Sequence, residues 1–272
     1  MRILVTGHEG FIGKNMVQHL MALGHHVDGY EYIPDWDPDV SPYDWVVHLG
    51  AISSTTERDV EKVLKQNLDF SVRLLNSCEL YGVNMQYASS ASVYGSGTEF
   101  NEKSPVYPQS PYAWSKYMFE RYAKSSAVTV QGFRYFNVYG HHEDHKGAQA
   151  SPVTKFTRQA RETGTIEVFK DSDLFLRDFV CVDDVCRVHS AMLEHQKSGI
   201  WNVGTGFTRS FMEIAEAVAK KEGARIKEIQ FPPELMQQYQ RYTRADNQKI
   251  NEFVKLDWID VLDWIRLSAF NK

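Results

Sequence analysis

The sequence predicts an α/β protein: a doubly wound parallel sheet with a smaller C-terminal α/β lobe, lacking the third strand–helix unit such sheets usually carry. Three observations predict it. Short β-branched runs alternate with helical periodicities along the chain, the pattern of parallel strands joined by crossover helices. A glycine-rich turn joins the first strand to the first helix. A stretch rich in Pro and Asp, residues 32–44, stands where a third strand would lie and is too short for two crossovers with a strand between them.

Taken in order, Arg2-Ile3-Leu4-Val5 is short, apolar and β-branched, and reads as the first strand. Ile12, Met16, Leu20 and Leu23 then recur at helical spacing, and Gly24 supplies a stop. A second strand is expected from His26 to Tyr30 and another at Trp45-Val46-Val47-His48-Leu49. A helix is expected over roughly 57–81, a strand from Asn84 to Ala88, a helix over 111–124 and a strand from Thr129 to Tyr135. Asp183 and Asp184 read as a helix N-cap. Ser210 and Glu213 form a capping box opening a helix that Gly223 can end. Trp258, Trp264 and Ile265 read as a helix stripe facing the core or a partner. Residues 1–140 and a returning segment near 176–208 are expected to form one lobe; about 141–175 and 209–272 form the other.

The chain has 272 residues and a formal net charge of -5, with no basic block of the kind that tracks a phosphate backbone, so nucleic acid is not an expected partner. Cys78, Cys181 and Cys186 lie in apolar stretches without CxxC pairing, which reads as buried thiols in a reducing compartment. The apolar run after Met1 is too short for a signal segment or a membrane span, so a cytoplasmic protein without membrane association is expected. His141, His142 and His145 lack the further ligands that would complete a metal site, and no metal is expected.

Gly7, Gly10 and Gly13 give GxxGxxG directly after a strand and at the start of a helix that opens Phe11-Ile12. One glycine makes the tight turn, another lets the backbone approach a pyrophosphate, and another lets helix and strand pack closely; the diphosphate rests on unpaired N–H groups at the helix start. This marks a Rossmann-type dinucleotide site. Glu31, followed by Tyr32, ends the second strand, where a carboxylate accepts hydrogen bonds from ribose hydroxyls and repels a 2′-phosphate. That favours NAD over NADP, with Lys14 as a possible offset.

Tyr112 and Lys116 stand four apart behind Ser110-Pro111, a helix-start pair that places both on one face. A phenol is a poor base at neutral pH, and a neighbouring ammonium favours its ionised form. With 14 tyrosines this spacing alone is weak evidence. Its context is stronger: a strand at Met85-Gln86-Tyr87-Ala88 runs into Ser89-Ser90-Ala91-Ser92-Val93-Tyr94-Gly95. Ser90 thus comes to the carboxyl end of a parallel strand, where such sheets bind ligands, and can donate to a substrate oxygen.

The glycine turn, the serine stretch, Tyr112/Lys116, Arg134-Tyr135-Phe136-Asn137-Val138-Tyr139-Gly140, Arg177 to Asp184 and Asn202 to Gly206 together resemble the extended short-chain dehydrogenase/reductase family of NAD-dependent epimerases and dehydratases, over nearly the whole chain. Within it, His48 to Glu57, His145-Lys146-Gly147 and Phe231 to Asp246 resemble the branch acting at C6 of an ADP-linked heptose in lipopolysaccharide biosynthesis. The resemblance implies redox epimerisation: hydride leaves C6 for a tightly bound nicotinamide, and the transient ketone is reduced on its other face. It implies Tyr112 and Lys146 as the two acid/base groups, with Ser90 and Lys116 beside them. It implies cofactor contacts at Leu49, Gly50, Ala51, Asn67 and Val138, and NADP is common in that branch. It implies substrate contacts at Ser53, Ser90, Asn137, Lys146, Phe169 to Ser172, Arg177 and Tyr239, where a guanidinium suits a diphosphate. Lys155 stands where the family usually has His. A homo-oligomer joined through the Tyr112–Lys116 helix is also implied.

Other readings stay open at this point. A UDP-sugar 4-epimerase or another nucleotide-sugar oxidoreductase would share these motifs, since substrate choice lies in the variable lobe. A dehydratase needs an acid pair beside the catalytic hydroxyl, where this chain has Ala91-Ser92. A non-catalytic dinucleotide-binding module would be expected to lose Tyr, Lys or Ser, all of which are present.

Overall fold

The computed structural model describes residues 1–231 and 240–268. Its elements run β1 (Arg2–Thr6), α1 (Phe11–Ala22), β2 (His26–Tyr30), β3 (Trp45–His48), α2 (Val60–Leu64), α3 (Phe70–Tyr81), β4 (Asn84–Ser90), α4 (Pro111–Ala123), β5 (Val130–Tyr135) and β6 (Asn137–Tyr139). Then follow α5 (Pro152–Thr163), β7 (Thr165–Phe169), β8 (Leu176–Arg177), β9 (Phe179–Cys181), α6 (Val182–Met192), β10 (Gly199–Val203), β11 (Arg209–Ser210), α7 (Phe211–Glu222), β12 (Arg225–Ile229) and β13 (Tyr242–Thr243), with a terminal helix Val261–Leu267.

Six strands form one sheet in the order β10-β5-β4-β3-β1-β2, every neighbouring pair parallel. The winding reverses between β1 and β3, and the crevice outside the carboxyl ends there is where sheets of this kind take ligands. Both faces are covered, which is why β3 and β5 are buried along their whole length. Phe70, Leu74 and Phe119 of α3 and α4 pack on one face against Val46, Met85 and Tyr87. Met16 and Leu20 of α1 pack on the other with Cys186 of α6 and Trp45.

As the Pro/Asp-rich stretch predicts, no strand stands beyond β2 among the described residues. Residues 31–44 contribute only an isolated Ile33–Trp36 bridge. They lie back on α3, where Arg73 holds Asp37 through two hydrogen bonds of 2.9 and 3.0 Å.

A separate core joins α5, β7, α7 and the terminal helix through Phe156, Ile166, Ile214, Val218 and Ile265. Small sheets β7–β12, β6–β9 and β11-β8-β13 frame it. Ile250 and Val254, from the stretch assigned by sequence to the smaller lobe, pack with Trp201 on the flank of the large sheet.

The caps follow the sequence in most places. Ser110 accepts the Ala113 N–H at 3.2 Å with Pro111 opening α4. Ser210 and Glu213 exchange bonds of 3.0 and 2.7 Å at the start of α7, which Gly223 ends. The N-cap of α6 is a correction. Cys181 occupies it because β9 runs directly into the helix, and Asp183 and Asp184 fall in the first turn. Asp184 is buried there, accepting the Ile259 N–H at 2.8 Å and pairing with Arg187 at 2.6 Å. All three cysteines are free and buried.

Candidate active site

The glycine turn closes on the loop after β3. Gly7 adopts φ +71°, and a Cβ there would lie 2.5 Å from the Gly50 Cα. A Cβ on Gly13 would lie 1.9 Å from the Gly7 carbonyl oxygen. Gly7 is tied to β2 by its N–H to the Tyr30 carbonyl at 2.8 Å. Phe11 and Ile12 then start α1, whose first turn receives no side-chain cap from Gly10. A cradle with no room for side chains, at an uncapped helix start, fits the diphosphate of a dinucleotide. Glu31 faces the same loop: it accepts the Glu9 N–H at 2.7 Å and lies 3.3 Å from the His8 imidazole. Tyr32 packs edge-on to Phe70 at 5.3 Å.

The opposing wall, Leu49-Gly50-Ala51, is held by a chain of buried hydrogen bonds. Ser71 donates to the Asn67 carbonyl at 2.6 Å, so its oxygen accepts from His48 Nε2 at 2.8 Å, and His48 Nδ1 accepts from Thr6 at 2.6 Å. Burial pushes His48 down to about 3, and the Lys116 ammonium adds to this, so the ring is neutral. Asn67 lies in a π turn, Lys65–Asp69, between α2 and α3. Its amide pairs with both the N–H and the carbonyl of Ile52, at 2.8 and 2.9 Å, and donates to Ser115 at 3.2 Å. In this arrangement Asn67 shapes the 50–52 loop.

Ser90, Tyr112 and Lys116 come together at the carboxyl end of β4. Tyr112 hydrogen bonds Ser90, while Lys116, 6 % exposed, donates to the Ala88 carbonyl at 2.8 Å and sits 5.9 Å from the Tyr112 ring centre. Burial pushes Lys116 down to about 8, with the Glu120 carboxylate pulling the other way. Tyr112 departs from expectation: burial raises it, and the bond from Ser90, not the ammonium, pulls it back. The Lys116 ammonium, 5.9 Å from the ring centre, donates instead to the Ala88 carbonyl. Behind them Glu120 accepts from Ser89 at 2.5 Å and takes Arg134 in two bonds of 2.9 and 2.6 Å.

Lys146 arrives from a different element, the 3₁₀ stretch Asp144–Gln149. Its ammonium donates to Ser53 at 3.4 Å and lies 5.9 Å from the Phe11 ring at the glycine turn. Of the other expected substrate residues, Asn137 begins β6, and Phe169 packs against Phe231 at 4.7 Å. Phe169 lines a cavity of about 150 Å³ with Lys155, Phe156, Ser172, Phe175 and Phe231. Val138 packs in the core beside β5. Arg177 is buried, donating to the carbonyls of Leu176 and Gln240 over the Phe211 ring. Tyr239 lies outside the described residues. A cavity of about 990 Å³ between Lys103, Arg121, Lys124 and Lys249 contains none of the residues predicted for the site.

Sequence reasoning missed His48, Ser71 and Glu120. The available signal was a polar residue amid apolar ones, His48 after Trp45-Val46-Val47, where burial demands a partner.

A parallel sheet of this order, with a glycine cradle and a Ser/Tyr/Lys group at its carboxyl edge, defines a dinucleotide-dependent enzyme. The chain belongs to the NAD dependent epimerase/dehydratase family, which matches residues 38–204. A curated relative, the ADP-L-glycero-D-manno-heptose-6-epimerase of Brachyspira hyodysenteriae, is 37% identical over 287 residues, covering 91% of this chain and 90% of that protein. The crystal structure of the Helicobacter pylori protein of the same name is similar with a TM-score of 0.86 at 26% identity, over 97% of this chain and 94% of that one. The Thermus thermophilus UDP-glucose 4-epimerase complex with NAD is similar with a TM-score of 0.83 at 27% identity, over 98% and 97%. The cofactor class is thus a nicotinamide dinucleotide. Among the described residues no helix is long and apolar enough to cross a membrane.

Proposed function

We propose that this chain is an ADP-glycero-manno-heptose 6-epimerase of the cytoplasm, using NAD. The observation that carries the reading is a pair of candidate proton-transfer groups on separate elements: Tyr112 of α4, hydrogen bonded to Ser90 at the carboxyl end of β4, and Lys146, beside Ser53 and the Phe11 ring of the glycine turn. The 37% identity to a heptose 6-epimerase over nearly the full length supports that substrate over the UDP-sugar alternative.

Gly7, Gly10, Gly13, Leu49 to Ala51 and Val138 would hold the dinucleotide, which when bound supplies reversible oxidation at the sugar carbon. The chain's own groups handle the proton. Tyr112 takes it from the sugar hydroxyl and returns it, Ser90 holds that oxygen in line, and Lys116 fixes the ring's position from below. Lys146 does the same work from the side of Ser53, so that the sugar can be reprotonated in either orientation. Asn137, Phe169, Arg177 and Tyr239 would grip the nucleotide diphosphate and sugar, with the smaller lobe closing over them.

The Glu31 carboxylate, anchored by the Glu9 N–H at 2.7 Å, supports NAD because it would repel a 2′-phosphate. Trp114, Met118 and Tyr122 recur at four-residue spacing on the exposed face of α4, 48, 43 and 44% exposed, which supports self-association there.

The test is incubation of the purified protein with ADP-D-glycero-D-manno-heptose, without added nicotinamide, and NMR of the product. Inversion at C6 of the heptose, with C4 of UDP-glucose unchanged, is expected. Inversion at C4 of UDP-glucose with the heptose untouched would overturn the assignment.

A further inference from the structure

Glu143 is one of the few carboxylates in the chain that is buried, 3 % exposed, and none of the site residues above explains it. It stands in the loop between β6 and α5, three positions before Lys146. Its carboxylate accepts three hydrogen bonds from the opening turn of α5: the Ser151 N–H at 2.6 Å, the Ser151 hydroxyl at 2.7 Å and the Thr154 hydroxyl at 2.6 Å. Its carbonyl accepts the Lys146 N–H at 3.0 Å. One residue thus clamps the loop to a helix at one end and forms the turn that presents the lysine at the other.

Among the described residues no lysine, arginine or histidine nitrogen forms a direct ion pair with this carboxylate. Burying a charge without a salt bridge is unfavourable unless hydrogen bonds and longer-range charges compensate. Here burial pushes the carboxyl above its ordinary value, and the three donors and the Lys146 ammonium pull it part of the way back. Seen from Lys146, the surroundings are the Phe11 ring of α1, the Ser53 hydroxyl and Glu143; the last is the charged one, and it opposes the loss of proton affinity that burial imposes. Lys155, one turn along α5, responds to the same charge.

We propose that Glu143 is the positioning residue for Lys146, fixing the loop that carries the lysine and keeping a negative charge behind it. This rests on the reading of Lys146 as a proton-transfer group. The carboxylate is buried against α5 and acts through the lysine.

The experiment is competitive acetylation of the whole protein with acetic anhydride across pH, with mass spectrometry of each lysine and exposed Lys220 as reference. In Glu143→Gln the midpoint for Lys146 should fall by about one pH unit, the low end of what losing a nearby opposite charge does. Turnover should fall with KM for the nucleotide sugar nearly unchanged. In Thr154→Val, which removes one clamp bond and keeps the charge, the Lys146 midpoint should hold. A folded Glu143→Gln protein with an unmoved Lys146 midpoint overturns the proposal. So does a Lys146 midpoint in Thr154→Val that falls below the parent's by about one pH unit, which would make the effect one of loop packing alone and is readable even if Glu143→Gln fails to fold. Full turnover in Lys146→Met would instead remove the catalytic reading of the lysine, while the acetylation result would still stand.

Discussion

The two lysines of the site are built in opposite ways. Lys116 is on the first turns of α4, 6 % exposed, with its ammonium locked to a carbonyl of the central strand β4. Lys146 rides a loop whose backbone includes left-handed positions at His142 and Gly147, and among the described residues its side chain makes one hydrogen bond, a long 3.4 Å contact with Ser53. On the proposed function, a group on a helix and tied to the central sheet would hold a cofactor and a phenol in fixed register. A group on a clamped loop can approach a sugar that must present two faces. On the proposed function, the difference would give holding to one lysine and reach to the other.

The largest effect should separate them directly. Lys116→Met and Lys146→Met should each lower kcat by roughly 10²–10⁴-fold, the range for losing an acid/base group or its support. Only Lys116→Met should also empty the protein of dinucleotide, measured by chromatography of the cofactor released on denaturation. If Lys146→Met protein is equally empty, the contrast fails.

A second measurement sharpens it through pH. Lys116 is held at about 8 by burial, so its ammonium is present below that pH and lost above it. Turnover should therefore decline as pH rises through about 8, and Lys116→Arg, which cannot lose its proton in this range, should abolish that limb at reduced activity. An alkaline limb that survives in Lys116→Arg would belong to another group.

The smallest effect concerns stability. The Lys116 neighbourhood carries His48, whose folded value lies near 3, below its ordinary 6.5. The unfolded chain therefore binds a proton between those values that the folded chain refuses. The contribution is fully present above 6.5 and is lost as pH falls toward 3, by at most about 1.4 kcal/mol per pH unit. His189, lowered likewise by burial, adds a similar slope. Urea unfolding at stepped pH should show His48→Gln with a shallower acid decline than the parent; an identical slope would mean that the ring is protonated in the fold.

The parts of this molecule governed by neighbours in sequence were readable from it. Gly7, Gly10 and Gly13 announce a turn, Ser210 and Glu213 a helix start, and the prolines and aspartates of 32–44 the lack of a strand. What was not readable depends on residues far apart in the chain. Thr6, His48, Ser71 and Asn67 form one hydrogen-bonded line only after β1, β3 and α3 are packed. Asn67 could be matched to a family position, but its grip on Ile52 needs a π turn that no periodicity signals. Asp184 looked like a cap because its letter favours caps; the strand before it left no room for that role. For Tyr112, spacing gave the neighbour and missed the direction of the ammonium.

A sheet that stops at β2 has a raw outer border, the kind of surface on which a foreign strand can zip up and start an aggregate. His26 and Asp28 alternate along it, 3.5 Å apart, and Tyr43 reaches over to bond Asp28 at 3.0 Å. Charge and a crossing aromatic guard the seam in place of a covering layer. The chain has dispensed with a whole strand and its helix, and two polar side chains stand sentry where they would have been.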